Sequence, residues 1–255
     1  MRGDSYGKRA GERDSPVTGC GQAAAAESGP ASTAKGKSSK RRGPGLRYER
    51  VWIARGHVLV AGIDEAGRGP WAGPVVAAAV VLGAGRSPKG IDDSKKVSPA
   101  GRERLYDELM ARAEVGIGIA DVARIDRDNI LRASLWAMAQ ALSKLPRQPH
   151  AALVDGMSAP DLPCPVETIV EGDARSLSIA AASIIAKVTR DRMMVALARL
   201  HPGYGWEHNM GYGVPEHRDG IARLGLTLHH RRSFRPVALV AKEAGEGMPG
   251  PRAGP

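Results

Sequence analysis

The chain has 255 residues and a formal charge of +10, and 42% of its residues are hydrophobic, which suffices for one sizeable α/β domain. Two cysteines exclude a disulfide framework and a thiolate zinc site, and no apolar run reaches the roughly 18 residues of a membrane span. We therefore expect a monomeric, cytoplasmic protein without a membrane segment, whose basic charge attracts nucleic acid.

The charge is concentrated at the N-terminus, because residues 1–50 hold 11 Lys/Arg against 5 Asp/Glu. Residues 1–47 are rich in Gly, Ala, Ser, Lys and Arg, which predicts a disordered basic arm. We interpret the arm as a solvated tail or as a stretch upstream of the true start codon, with nonspecific nucleic-acid binding as a lesser alternative. Residues 48–237 are predicted to form the folded domain with a C-terminal helical extension, and residues 238–255 a flexible tail.

The elements of this domain alternate in type along the chain. Two β-branched runs at residues 58–64 and 75–82, separated by a Gly/Pro turn, predict an antiparallel hairpin. Ser98 and Pro99 then predict the start of a helix. Further elements are predicted in this order: a strand at 115–120, a helix at 129–145, strands at 151–154 and 165–170, and helices at 177–200 and 215–224. The order indicates an α/β fold with a mixed central sheet flanked by helices.

Carboxylates follow three of the predicted strands. Asp64 and Asp155 each end an apolar run and are followed within three residues by glycine, and Asp173 follows the next strand. A single Asp-Gly pair is more often a turn, but parallel neighbouring strands would bring these side chains, with Glu65, to one sheet edge. Carboxylate oxygens suit Mg²⁺ or Mn²⁺ acting on a phosphate. The pattern therefore predicts a divalent-metal cleft.

The segment that follows Asp64 carries two further expectations. Adjacent strand residues point to opposite faces, so the side chains of Asp64 and Glu65 serve one site only if the strand breaks there, as the nearby glycines suggest. Glu65 could also contribute its backbone carbonyl. The turn Gly67-Arg68-Gly69 has exposed amides that could hydrogen-bond a ribose 2'-hydroxyl, and Arg68 could clamp a phosphate. Taken alone, the same turn is also compatible with a purely structural role.

Two other positions suit contact with a nucleic acid. Lys95, in the charged run at residues 93–96, could contact a backbone phosphate, although such runs are usually solvated surface. Tyr212 lies between two glycines, which would expose its ring for stacking on a base or sugar, and a buried ring is the alternative. The seven histidines show no metal-ligand spacing.

The ordered motifs between residues 58 and 237 resemble those of the bacterial ribonuclease HII family. They are residues 61–70 (AGIDEAGRGP), 93–96 (DSKK), 153–156 (LVDG), 172–173 (GD), 179–191 (IAAASIIAKVTRD), 211–213 (GYG) and 230–234 (HRRSF). The resemblance implies an RNase H-like fold. It also implies an endonuclease that cleaves the RNA strand of RNA/DNA hybrids and single ribonucleotides embedded in duplex DNA, leaving 3'-hydroxyl and 5'-phosphate ends.

The resemblance also implies roles for individual residues. Mn²⁺ or Mg²⁺ would be bound by four carboxylates, namely Asp64, Glu65, Asp155 and Asp173. The turn Gly67-Arg68-Gly69 would read the 2'-hydroxyl, Tyr212 would stack on the sugar beside the junction, and Lys95 would contact a phosphate.

The chain departs from the family pattern at three positions. It has Glu171 and Met210 where family members often have Lys, and Asp92 where they often have Asn. These residues place acidic or apolar groups around the cleft but remove no carboxylate. Two alternatives stay open from the sequence: a catalytically inactive hybrid-binding protein, which would have no need for clustered carboxylates, and a metal-dependent phosphatase, which would hydrolyse small phosphoesters.

Overall fold

The computed structural model describes residues 43–83, 85 and 87–243. In this part of the chain a five-stranded sheet has the order β3-β2-β1-β4-β5. The strands are β1 (Val60–Ala66), β2 (Val75–Val81), β3 (Glu114–Ala120), β4 (Ala151–Asp155) and β5 (Val166–Ile169). Strands β1 and β2 pair antiparallel, as the hairpin pattern predicted, and β3 also pairs antiparallel with β2. Strand β4 runs parallel to β1, and β5 runs parallel to β4. The predicted mixed sheet is confirmed.

Helices cover both faces of the sheet. The helices described are α1 (Arg47–Ala54), α2 (Pro99–Arg112), α3 (Val122–Asp128), α4 (Ile130–Ser143), α5 (Leu177–Leu200), α6 (Trp206–Asn209), α7 (Pro215–Leu224) and α8 (Arg235–Glu243). The small alanines of α4 pack on one face beside Ile63, and α5 packs with Leu105 and Leu109 of α2 on the other. No helix in the described residues combines the length and apolar character needed to cross a membrane.

Helix α5 lies very close to the central strand β1. A Cβ atom on Gly62 would lie 2.1 Å from the backbone carbon of Ser178, so only glycine permits this approach. The N-terminus of α5 is further held by buried Glu49 of α1, whose Oε1 accepts hydrogen bonds from the Ser178 amide at 2.9 Å and the Ser176 hydroxyl at 2.7 Å. These contacts place α5 beside the carboxyl end of β1.

Helices α6 to α8 form the predicted small C-terminal helical part. They surround fully buried Trp206 and pack on the last turns of α5 through Met194 and Ala198. The predicted boundary at residue 237 falls inside α8, which continues to Glu243, and the predicted boundary at residue 47 falls on the first residue of α1. The rest of the predicted arm, residues 1–42, and residues 244–255 of the predicted tail lie outside the described residues.

Candidate active site

Four carboxylates meet in one cleft at the carboxyl ends of β1 and β4. The two strands pair in register from Val60 opposite Ala151 to Ile63 opposite Val154, so Asp64 and Asp155 are the next residues on neighbouring strands. Asp173 arrives from the short 3-10 helix Gly172–Ala174 that follows β5. Parallel pairing of β1 and β4 therefore brings Asp64 and Asp155 together, as predicted.

Glu65 lines the same cleft as Asp64. The predicted break in β1 is wrong, because the strand stays paired with β2 through Ala66 opposite Val76. The other edge of β1 is different, since its pairing with β4 ends at Ile63. Beyond Ile63, no strand of the described residues pairs with β1 on this side, so side chains from both faces of β1 can border the opening.

The cleft has a volume of about 440 Å³. Its lining includes seven of the nine residues predicted for the site: Asp64, Glu65, Gly67, Lys95, Asp155, Asp173 and Tyr212. Arg68 and Gly69 adjoin the cleft without lining it. A larger surface depression of about 720 Å³ contains a single carboxylate, Glu108, among basic and small side chains, so the smaller cleft has the richer chemistry.

The cleft also contains residues to which the sequence analysis assigned no role. Ser183, Lys187 and Arg190 of α5 line it, as does Ser94, whose hydroxyl lies 2.9 Å from that of Ser183. The three α5 residues are spaced by four and three positions, so they share one helix face. This spacing is a sequence signal of a polar face on the helix predicted at residues 177–200, and the sequence analysis missed it.

Burial and mutual repulsion shape the acidity of the carboxylates. Burial raises the pKa of Asp64 well above its usual value, and the negative charges of Glu65 and Asp155 raise it further. Burial likewise raises the pKa of Glu65, although the Arg68 guanidinium, 3.2 Å from its carboxylate, opposes the shift. Burial and the charges of Asp93 and Asp155 raise the pKa of Asp173. These groups can all be ionised at low cost only if a cation is nearby.

The donor set fits a hard divalent cation, because it consists of carboxylates and hydroxyls without a thiolate. No three His, Cys, Asp or Glu side chains of the described residues form a ready-made metal cluster. A cation such as Mg²⁺ usually takes only one or two carboxylates and completes its shell with water and substrate phosphate. An open carboxylate cleft is compatible with this mode of binding. The Asp155 side chain has a fixed orientation, because its Oδ1 accepts a hydrogen bond from the Gly172 amide at 2.7 Å.

The turn Gly67-Arg68-Gly69 presents two backbone amides to the outside. Gly67 has φ +98°, and Arg68 and Gly69 are exposed. Neither the Arg68 nor the Gly69 amide donates a hydrogen bond within the described residues. Both amides are therefore available to an external acceptor.

Tyr212 is 48% exposed, which excludes the buried alternative. It stands beside the turn, because a Cβ atom on Gly69 would lie 3.3 Å from Cε1 of the ring. The carbonyl of Tyr212 accepts hydrogen bonds from the Val214 amide at 2.9 Å and from His217 Nδ1 at 3.0 Å. The ring is thus carried by a fixed backbone.

None of the three departures from the family pattern lines the cleft, although each lies two positions from a residue that does. Glu171 and Met210 both have left-handed backbone conformations, with φ of 53° and 51°. Met210 borders a neighbouring groove, and its carbonyl accepts a hydrogen bond from Arg190 at 3.0 Å. Asp92 lies 3.8 Å from the Lys96 ammonium.

Two buried histidines beneath Tyr212 are held neutral by their hydrogen bonds. His230 Nδ1 accepts from the Thr227 amide at 2.9 Å, and His217 Nε2 accepts from the Trp206 indole at 2.9 Å. The Nε2 atoms of the two histidines are 3.1 Å apart, so His230 donates to His217. Burial lowers the pKa of both rings, that of His230 to about 3.

These neutral histidines predict a loss of stability in acid. As the pH falls below the ordinary histidine pKa of 6.5, these histidines bind protons in the unfolded chain but stay neutral in the folded protein. Each such ring should cost about 1.4 kcal/mol of unfolding free energy per pH unit until its folded pKa is reached. Urea unfolding between about pH 7.5 and about pH 4.5, on either side of the ordinary histidine pKa, should show a shallower pH slope for His230→Asn than for the unsubstituted chain. An unchanged slope would contradict the assignment, and exposed His208→Asn is the control.

Comparison with known proteins agrees with this geometry. The family model described as Ribonuclease HII matches residues 61–237, more than half of the chain. A curated relative from Bradyrhizobium diazoefficiens, named Ribonuclease HII, is 58% identical over 193 residues, which cover 76% of this chain and 74% of the relative.

Solved structures show the same fold. Ribonuclease H2 from Pyrococcus horikoshii superposes with a TM-score of 0.64 at 25% identity and covers 74% of this chain and all of its own. The Bst RNase HIII structure in complex with Mn²⁺ superposes with a TM-score of 0.62 at 20% identity, covering 73% of this chain and 70% of its own, and supports the fold alone. With an RNase H-like fold, a carboxylate cleft and this family match, the chain belongs to the ribonuclease HII family of divalent-metal-dependent endoribonucleases, which cleave the RNA strand of RNA/DNA hybrids.

Proposed function

We propose that the 440 Å³ cleft is the catalytic site, and that it cuts both RNA/DNA hybrids and single ribonucleotides embedded in duplex DNA. The observation that carries the proposal is the meeting of four carboxylates with Lys95, Lys187 and an exposed aromatic ring in one cleft of the sheet. The carboxylates Asp64, Glu65, Asp155 and Asp173 would hold Mn²⁺ or Mg²⁺. We keep the cytoplasmic location and the monomeric state as predictions.

The reaction breaks the bond between phosphorus and the 3'-oxygen of the preceding nucleotide. A water oxygen bonds to phosphorus, and the departing 3'-oxygen takes up a proton, which leaves 3'-hydroxyl and 5'-phosphate ends. A divalent cation held by these carboxylates would supply Lewis-acid polarisation of the phosphate. Lys95 and Lys187 offer ammonium groups to the phosphate oxygens, while Asp191, 2.8 Å from the Lys187 ammonium, orients that side chain.

Recognition of ribose would come from the turn beside the cleft. The free amides of Arg68 and Gly69 can donate to a 2'-hydroxyl, which DNA lacks. The adjacent ring of Tyr212 offers a flat apolar surface to the neighbouring sugar. The Arg68 guanidinium, now paired with Glu65, can turn to a phosphate because nearly half of its side chain is exposed.

A duplex DNA with one ribonucleotide tests the proposal, incubated with Mn²⁺, Mg²⁺ or a chelator. We expect metal-dependent cutting on the 5' side of the ribonucleotide and none of an all-DNA duplex of the same sequence. Equal cutting of the all-DNA duplex would remove the ribose-reading role of the turn. Hydrolysis of p-nitrophenyl phosphate without any preference for the junction would favour the phosphatase alternative.

A further inference from the structure

Two buried arginines support the ribose-reading turn from inside the protein. Arg231, which precedes α8, is fully buried, and Arg190 of α5 is 1% exposed. Within the described residues, the hydrogen bonds of both guanidinium groups go to backbone carbonyls, and none goes to a carboxylate. A buried cation without a paired carboxylate is costly, so its geometry calls for an explanation beyond charge neutralisation.

Arg231 binds the turn itself. Its Nη2 donates to the carbonyl of Gly67 at 2.6 Å, and its Nη1 donates to the carbonyl of Arg68 at 2.9 Å. Its Nε donates to the carbonyl of Gly73 at 3.0 Å, and Nη2 also lies 2.8 Å from that oxygen and 3.3 Å from the carbonyl of Pro74. One planar fork therefore gathers carbonyls from both ends of the segment 67–74.

Inward carbonyls decide where the neighbouring amides point. In a trans peptide the N–H lies opposite the C=O of the preceding residue. Because the carbonyls of Gly67 and Arg68 point at Arg231, the amides of Arg68 and Gly69 point away from it. These are the two exposed amides without a partner in the described residues.

Arg190 joins the same segment to the loop that carries Tyr212. Its three nitrogens donate to the carbonyls of Pro74 at 2.9 Å, Ala72 at 3.1 Å and Met210 at 3.0 Å. Gly67 packs directly on this side chain, since a Cβ atom there would lie 2.0 Å from Arg190 Nε. The distance between the amides and the Tyr212 ring is thus set through one guanidinium.

We infer that Arg190 and Arg231 are positioning residues for ribose discrimination: they hold the turn so that its amides face the 2'-hydroxyl and lie at a fixed distance from Tyr212. The inference rests on the proposed function of the turn. Lysine would keep the positive charge but has a single nitrogen, which cannot reproduce the fork. If the arginines supply only positive charge, lysine variants should keep the preference for ribose. If they supply the fork geometry, lysine variants should lose it.

The test compares Arg231→Lys with the control variant Arg223→Lys. Arg223 is an exposed arginine in the same C-terminal part, and its Nη2 donates a hydrogen bond to the Gly203 carbonyl at 3.3 Å. Both are placed in an Asp155→Asn background to prevent cutting. Fluorescence anisotropy with Mg²⁺ then gives the affinity for a single-ribonucleotide duplex and for its all-DNA counterpart. We expect Arg231→Lys to lower the ratio of the two affinities about tenfold or more, because displaced amides lose their hydrogen bonds to the 2'-hydroxyl. Arg223→Lys should leave the ratio unchanged.

Hydrogen exchange measured by mass spectrometry gives a second readout. Peptides covering residues 66–74 should exchange faster in Arg231→Lys, while peptides from β2 and β3 keep their protection. If Arg231→Lys does not fold, Arg190→Lys is measured in the same way. A preserved affinity ratio in a folded variant would overturn the inference. Failure of both variants to fold would also overturn it, because the arginines would then be needed for the fold alone. If the unsubstituted turn shows no ribose preference, the proposed function fails instead.

Discussion

Replacing Asp155 by Asn is expected to lower the rate of hybrid cleavage by about 10³-fold or more while leaving the fold intact. The substitution removes a negative charge from the carboxylate cleft, and metal-assisted stabilisation of a phosphoryl transition state is worth several kcal/mol. The fold should survive because the Asn Oδ1 atom can still accept the hydrogen bond from the Gly172 amide. Single-turnover cleavage of a hybrid and a thermal unfolding curve measure the two effects.

Asp161→Asn is the matched control for Asp155→Asn. Asp161 is an exposed residue in the connection after β4 and does not line the cleft. The Asp161→Asn variant should therefore have the cleavage rate and the melting temperature of the unsubstituted protein. Full activity of Asp155→Asn would remove Asp155 from the site. A loss of activity accompanied by unfolding would instead show that the side chain is needed for the fold.

Gly67→Ala should destabilise the protein by about 3 kcal/mol and abolish preferential cutting at ribonucleotides. Part of the cost is backbone strain at φ +98°, worth about 1–2 kcal/mol. The rest arises because the new methyl would lie 2.0 Å from Arg190 Nε and 2.8 Å from the Pro74 carbonyl, and overpacking costs about 1–3 kcal/mol. Since Arg190 must move, the turn and the Tyr212 loop should separate.

Two other glycines dissect this effect. Gly56 has φ +92° with open space around its Cβ position, so Gly56→Ala should show the strain alone, about 1–2 kcal/mol. Gly69 has no positive φ, and a Cβ atom added there would meet only the Tyr212 ring, at 3.3 Å. The free energy of unfolding of Gly69→Ala should therefore be close to that of the unsubstituted protein. Urea unfolding and cleavage of the single-ribonucleotide duplex measure all three variants. A Gly67→Ala variant as stable as Gly56→Ala would contradict the predicted clash.

Local sequence patterns predicted most of the elements that build the site. Apolar runs ending in Asp64 and Asp155 indicated two strands, and the alanine-rich run 177–200 indicated the long helix, because periodicity and end signals depend on neighbouring residues. Helix α1 was missed, since it is short and depends on distant partners: Trp52 donates to Glu167 at 2.6 Å and Glu49 accepts from Ser178. Helix α3, before the left-handed residue Asn129, was missed as well.

The sequence by itself determined the chemistry of the cleft, because the carboxylates and the Gly-Arg-Gly turn are recognisable from residue type and order. Only the tertiary structure decided how these groups share one space. The open edge of β1 beyond Ile63 lets Glu65 line the cleft beside Asp64, and no local pattern encodes where a neighbouring strand ends. Arg190 and Arg231 lie 41 positions apart in sequence, and each lies more than 100 positions from the turn that it holds. Their role arises from long-range packing, which brings donors to carbonyls that sequence reasoning cannot pair.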